Sequence, residues 1–241
     1  MINLFLMIAC SELKDTGQEE MEGISLSSGI YQLDWSAGSQ DVYAFPLENN
    51  LGYQISIQKG YLSSYSVRFY PCVDGFSSKI SLPISSAFAG HSDILVAGNW
   101  SQPWVENLLG LEEVVQEKSF AEHVVCSLVY TIARADGSSQ NLPIDIDLNN
   151  LSLYIEGSWQ KDDEAGDFIW ESNLPAERVF PLKNCVQAGE NIHSKSMKIQ
   201  LTRDISRAFD DIDFVSEDSQ RGALQLITNI VQDTMLTCWK L

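Results

Sequence analysis

Apolar and polar residues alternate along most of this chain in short runs, separated by clusters of Gly, Asn, Asp and Ser. The runs "GYQISIQ" at 52–58, "SYSVRFYP" at 64–71, "NNLSLYIEG" at 149–157 and "SMKIQLT" at 196–202 all show this pattern. The longest is "EHVVCSLVYTIARADG" at 122–137. There Val124, Cys126, Leu128, Tyr130 and Ile132 share one face, and His123, Val125, Ser127, Val129 and Thr131 the other. A sustained period of two predicts a strand, with Cys126 on its core face. The alternation in "NLSLYIEG" likewise turns Leu151, Leu153 and Ile155 inward.

Helical spacing occurs in two places. "PWVENLLGLEEVV" at 103–115 opens with Pro and carries Val105, Leu108, Leu109 and Leu111 on a rough stripe, which predicts a short helix interrupted by Gly110. "SEDSQRGALQLITNIVQDTML" sets Leu224, Ile227, Val231 and Met235 at helical spacing behind Ser216 or Asp218 as a cap. Between strand and helix, "RDISRAFDDIDF" reads as one helical turn or loop in which Ile205, Phe209 and Phe214 pin an acidic hairpin down. The sum is a mainly β protein: an antiparallel β-sandwich with short helical insertions and a C-terminal helix, forming one domain over 25–241.

The N-terminus adds a compartment. Residues 1–9, MINLFLMIA, are apolar except Asn3 and give way abruptly at Cys10 to a polar, acidic segment. At 1.5 Å per residue such a run is far shorter than the roughly 30 Å core of a bilayer, so it reads as the apolar end of a signal peptide. Met7-Ile8-Ala9-Cys10 resembles a bacterial lipoprotein cleavage box, with Cys10 as the acylated first residue and 10–24 as a tether. The other reading is an ordinary buried first strand. Removing Cys10 from the five cysteines leaves Cys72, Cys126, Cys185 and Cys238, an even set without C-x-x-C, as two disulfides in an oxidising envelope or periplasm require. Of the three possible connectivities, Cys72 with Cys126 and Cys185 with Cys238 staples neighbouring parts of the chain.

Charge narrows the partners. Thirty-three acidic against 15 basic residues give a net charge of -18, which repels nucleic acid and anionic lipid heads and leaves the N-terminal lipid as the membrane contact. Among candidate ligands, His91 follows Gly90 in "AFAGHSD", where a sharp turn presents the imidazole from a loop. His123 projects from the strand face opposite Cys126, and His193 lies in the polar loop "GENIHSKS". Neither H-x-H nor H-E-x-x-H occurs, and disulfide-bound cysteines are lost as thiolate ligands, so a metal site here is histidine-based. Trp100 and Trp104 bracket "SQP" near the Gly-His loop and read either as packing residues, as a sugar platform, or as a redox-active indole. The acidic runs at 145–147, 162–164 and 210–213 lack the twelve-residue calcium loop and read as solvated loops. No G-x-S-x-G or P-loop is present, which argues against an enzyme.

Two regions carry a family resemblance. "YSVRFYPC", then "AFAGHSD", then "FAEHVVCSLVYTIARADG" resemble lipoproteins in which a strand ends in Pro-Cys, an Ala-Gly-His loop follows, and a later strand bears the second cysteine. "KIQLTRDISRAFDDIDF" followed by "LQLITNIV" resembles the closing segment of periplasmic copper-binding proteins encoded beside methanobactin operons, with Asp211 where that turn carries Gly. The resemblance implies a β-rich fold, copper held by histidines near an oxidised tryptophan, and a di-haem c-type peroxidase-like partner. Residue by residue it points to His91 first and His123 second as ligands, and to Trp100 or Trp104 as the tryptophan. The expectation is an exported lipoprotein that binds copper, favoured by nitrogen ligands, as accessory to a periplasmic haem protein. Its rival is a metal-free envelope module for glycan or peptide, with exposed Trp and Tyr as platform.

Overall fold

Two β-bulges decide how the chain is laid out. The computed structural model describes residues 24–36, 46–71, 102–110, 114–182 and 197–240. The elements are β1 (Ile24–Ser36), β2 (Leu47–Glu48), β3 (Gln54–Pro71), β4 (Trp104–Asn107), β5 (Val114–Ile132), β6 (Leu153–Lys161), β7 (Glu164–Ser172), β8 (Ala176–Pro181), β9 (Met197–Asp204), a 3-10 turn (Ile205–Arg207), α1 (Ser219–Asp233) and β10 (Met235–Lys240). They form one ten-stranded sheet in the order β10-β9-β1-β5-β3-β6-β7, with β2 and β4 added to β3 and β8 to β5. The fold is mainly β with a C-terminal helix, as the alternation predicts. Its sheet is antiparallel except where β1 and β9 run parallel.

Sequence alternation splits 52–71 into two strands, yet β3 is continuous. The register shifts between Ile57 and Lys59, so Gln58 is an extra residue and the inward set moves from Ile55 and Ile57 to Gly60 and Leu62. A second shift between Ser64 and Ser66 makes Tyr65 the extra residue and restores Val67 and Phe69 to the core. Each bulge breaks the period of two and so imitates a loop, while keeping apolar side chains on one face and bending the strand. Gly60 is no breaker: an added Cβ would lie 3.0 Å from Leu108.

Four local expectations fail. In β5 the register shifts at Cys126, so Val125 rather than Cys126 enters the main core, and the expected inward set holds only from Leu128 onward. Residues 103–115 are not a helix; Trp104–Asn107 is a strand paired with Tyr61–Ser64. Burial alternates there, with Val105 in a small second cluster beneath the 135–151 loop and Trp104 against the main core. The Asn107 side chain accepts from the Leu109 amide at 2.9 Å and turns the chain where a helix would continue. In β6, Leu153 and Ile155 enter the main core, but Leu151 packs against the second cluster. Helix α1 is capped by Asp218, whose side chain accepts from the Arg221 amide. Its buried face holds Ala223, Leu226, Ile227, Ile230 and Val231, whereas Leu224 is exposed and Met235 belongs to β10. Ile227 and Val231 of the expected stripe lie on that face, with Leu226 and Ile230 beside them. Gly222 lies so close to Trp170 that an added Cβ would meet the indole at 2.7 Å.

The sheet curls around a core of aliphatic residues and a ring cluster of Tyr53, Trp159, Phe168, Trp170, Phe209 and Phe214, in which Phe214 stacks on Trp170 at 5.0 Å. Strand β9 alternates correctly, Ile199, Leu201, Arg203 and Ile205 being inward, so a guanidinium enters the core. Arg203 sits in the row of Trp35, just past the pair Leu33 and Val114 at the start of β5. Its guanidinium nevertheless lies 5.1 Å from the ring of Tyr130, near the end of β5, and donates to Glu106 on β4. One side chain therefore spans the interior between two walls. The Glu106 carboxylate also accepts from the Ser64 hydroxyl, which lies 2.6 Å from the Tyr130 hydroxyl.

Breaking this pair by Arg203→Met is expected to cost about 3–5 kcal/mol in denaturant unfolding, because Glu106 is left charged in the core. The double variant Arg203→Met/Glu106→Leu is expected to recover most of that loss.

Candidate functional site

Of the residues singled out for chemistry, Cys10, Cys72, His91, Trp100, Cys185 and His193 lie outside the described residues. His123 stands on β5 opposite Leu26. Trp104 is half-buried against the main core, and its indole N–H is buried without a hydrogen-bond partner among the described residues. Cys126 and Cys238 are each disulfide-bonded. Cys238, on β10, lies in the row of Ile199, Tyr31 and Gln116. Among the described residues no group of three or more His, Cys, Asp or Glu is arranged to hold a metal ion, and no helix is long and apolar enough to cross a membrane.

The quartet of Ser64, Glu106, Tyr130 and Arg203 has the residue types of a catalytic cluster. All four are almost inaccessible to solvent, with Arg203 at 0% and Glu106 at 2%. Burial raises the Tyr130 phenol well above its ordinary pKa. None of the four lines either of the two clefts described below. The quartet holds the walls together.

The acidic turn at 210–213 is also structural. Asn49 donates to the carbonyls of Phe209 at 3.0 Å and Ile212 at 2.9 Å, while Asn229 donates to those of Ala208 and Asp210. Asp211 adopts the left-handed region at φ 63°, where Gly is ordinarily favoured, and exchanges two hydrogen bonds of 2.8 Å with Asn50. The Asp213 carboxylate accepts from Tyr53 at 2.5 Å. That bond, with others from Ser216 and the Val215 amide, pulls the Asp213 pKa down to about 2. Burial and the same carboxylate push Tyr53 up to about 12. The carboxylates expected in solvated loops are thus committed to backbone and side-chain partners. In the 145–147 run, Asp145 pairs with Lys59 at 3.1 Å and Asp147 accepts from the Asn149 amide.

The outer face of β3, β6 and β7 differs. Here the residues opposite the core run in cross-strand rows: Gln54, Gln160 and Ala165, then Ser56, Ser158 and Asp167. Next come Lys59, Glu156 and Ile169, then Tyr61, Tyr154 and Glu171. The two small serines, side by side, leave a trough of about 400 Å³ between the longer side chains of the neighbouring rows. Ser56, Ser158, Gln160 and Asp167 make no side-chain hydrogen bond among the described residues, so their donors and acceptors face solvent. A second cleft of about 250 Å³ lies between Tyr61, Asn107 and the loop carrying Asn141, Ile144 and Asp145. Lys59 separates the two, held by Asp145 at 3.1 Å and Glu156 at 3.8 Å. The Tyr154 hydroxyl donates to Glu156 at 2.5 Å, which with burial raises that phenol to about 12.

Sequence reading missed this face. The outward positions Ser56 of β3 and Ser158 and Gln160 of "GSWQK" carry its signal: uncharged polar residues where an ordinary solvated strand sets long charged ones. Of the tryptophans, Trp170 turns inward into the ring cluster, while the half-buried Trp159 stacks on Phe214 and also lines the trough. No protein-family model, curated protein or solved structure matches the chain.

The depressed Asp213 pKa gives a signed pH dependence. The Tyr53–Asp213 bond stabilises the fold above the ordinary carboxylate value of 3.8 and loses that contribution as pH falls toward about 2. Asp213→Asn is expected to unfold more readily than wild type near neutrality, with the difference closing across that acid window in thermal melts.

Proposed function

We propose that this chain is an exported, non-enzymatic binding module of the cell envelope that takes its ligand on the outer face of β3, β6 and β7. The observation that carries the reading is the serine-floored trough, where four hydrogen-bonding side chains on the strands make no side-chain hydrogen bond among the described residues. Sites on strands are pre-organised, and a concave surface with convergent, uncommitted polar groups suits ligand capture. With one carboxylate, two hydroxyls and two amides, the trough holds neither a nucleophile–base pair nor a paired-carboxylate arrangement for acid–base work.

Export is supported by the disulfide state of Cys126 and Cys238, since such bridges persist in oxidising compartments. Pro71, which precedes Cys72, stands opposite Val125, and Pro181, which leads toward Cys185, stands opposite Ser127. Both strand ends thus converge on Cys126, and we assign it to Cys72, leaving Cys185 for Cys238 and Cys10 for the lipid. A histidine-based copper site involving His91, His123 and His193, serving a di-haem c-type partner, is the second reading. The bridge at Cys126, three residues beyond His123, favours it to the extent that it removes thiolate competition.

Two measurements test these readings. Ser158→Trp fills the trough, and retardation of the protein in gels cast with envelope polysaccharide is expected to disappear in that variant while the melting curve stays cooperative. Wild-type protein that migrates unretarded, yet carries stoichiometric copper lost in His91→Ala, would replace the binding reading by the copper one. A non-reducing peptide map of protein taken from its envelope is expected to show acylated Cys10 and the bridges Cys72–Cys126 and Cys185–Cys238. A bridge to Cys10 would contradict the anchor.

A further inference from the structure

We infer that the two clefts of the outer face are subsites of one groove, and that the groove takes an extended, uncharged oligosaccharide. The inference rests on the binding reading above and narrows it to a substrate class.

Continuity comes from the register. The rows containing Gln160, Ser158, Glu156 and Tyr154 follow one another on the same face of β6, so the trough and the Tyr61 cleft lie along one line. From Gln160 to Tyr154 the line is roughly 20 Å long at 3.3 Å per residue, enough for several sugar rings. Lys59 and Glu156 form a low ridge at its middle, with Lys59 tied across to Asp145 on the flanking loop.

The chemistry of the lining selects among ligands. A peptide captured by strand addition needs free main-chain groups, but β6, which carries the line of the groove, is paired on both sides, so strand addition would fall at β7 beyond the trough. The trough sets Ser56, Ser158, Gln54, Gln160 and Asp167 beside Trp159, a polar floor with one indole at its side. Hydroxyls, amides and a carboxylate match the alternating donors and acceptors of sugar hydroxyls. At the other end Tyr61 supplies an aromatic ring beside Asn107 and Asn141, a surface for the apolar face of a sugar ring. Asp167, Glu156 and Asp145 outnumber Lys59, which is itself paired, so acidic polysaccharides meet repulsion from the groove and from the net charge of -18.

Isothermal titration tests this with cellohexaose, xylohexaose, maltohexaose and chitohexaose, the matching disaccharides, hexagalacturonate and hexalysine. At least one neutral hexaose is expected to bind, tighter than its disaccharide by on the order of tenfold or more, because both subsites are engaged by one molecule. Tyr61→Ala is expected to bring the hexaose down to the affinity of the disaccharide and leave the disaccharide unchanged. Tyr61→Phe, which keeps the ring and removes only the 3.4 Å contact of its hydroxyl with Asp145, is expected to bind as wild type. Asp167→Ala is expected to weaken both ligands.

A disaccharide bound as tightly as its hexaose, lost in Ser158→Trp, would overturn the two-subsite groove and leave the binding face standing. Binding of hexagalacturonate or hexalysine in place of every neutral hexaose would overturn the assigned ligand class. Absence of heat with every probe would overturn this inference together with the binding reading beneath it.

Discussion

A guanidinium and a carboxylate buried together fix the shape of this protein. Arg203 and Glu106 are each nearly inaccessible, and neither could be left there alone, since an unpaired buried charge costs several kcal/mol. Their contact requires β9 and β4 to face each other across the interior. Tyr130 lies beneath the guanidinium and Ser64 beside the carboxylate, so β3 and the far end of β5 are drawn to the same point. A flat sheet could not satisfy this. The bulges of β3 supply the bends, and the aliphatic and aromatic core fills the space enclosed.

The same bends create the outer face. Because Gln58 shifts the inward set by one position, the outward residues after it are Lys59 and Tyr61 rather than their neighbours. The serine trough therefore precedes the bulge and the Tyr61 cleft follows it. Gly157, behind the trough, admits the ring of Phe168 on the core side, where an added Cβ would lie 2.9 Å from it and closer still to the Ser56 carbonyl. Core packing and the ligand face are thus two sides of the same few residues, and the rigidity of one serves the other.

Much of the fold is legible in the sequence because it follows the period of two. The inward set of β9, that of β5 from Leu128 onward, the Asp218 cap and the pinning of the acidic turn by Ile205, Phe209 and Phe214 all follow from it or from simple capping chemistry. What escapes does so for physical reasons. A bulge looks like a loop, an Asx turn after Asn107 makes a strand and turn look like a helix, and the close approach of Gly222 to Trp170 is invisible to a search for large apolar residues. The buried charge pair is hidden because Glu106 and Arg203 lie far apart in sequence and each looks like a surface residue. The candidate groove is built from Ser, Gln and Asp, which carry no motif and acquire meaning only when three strands place them side by side.

The most direct test of the account is a map of amide chemical-shift changes in isotope-labelled protein as the tightest neutral hexaose is added. The account predicts shifts concentrated at Gln54, Ser56, Lys59, Tyr61, Ser158, Gln160 and Asp167, with the interior around Arg203 and Tyr130 unchanged. Shifts clustered instead around His123 or along α1, with the outer face silent, would contradict it.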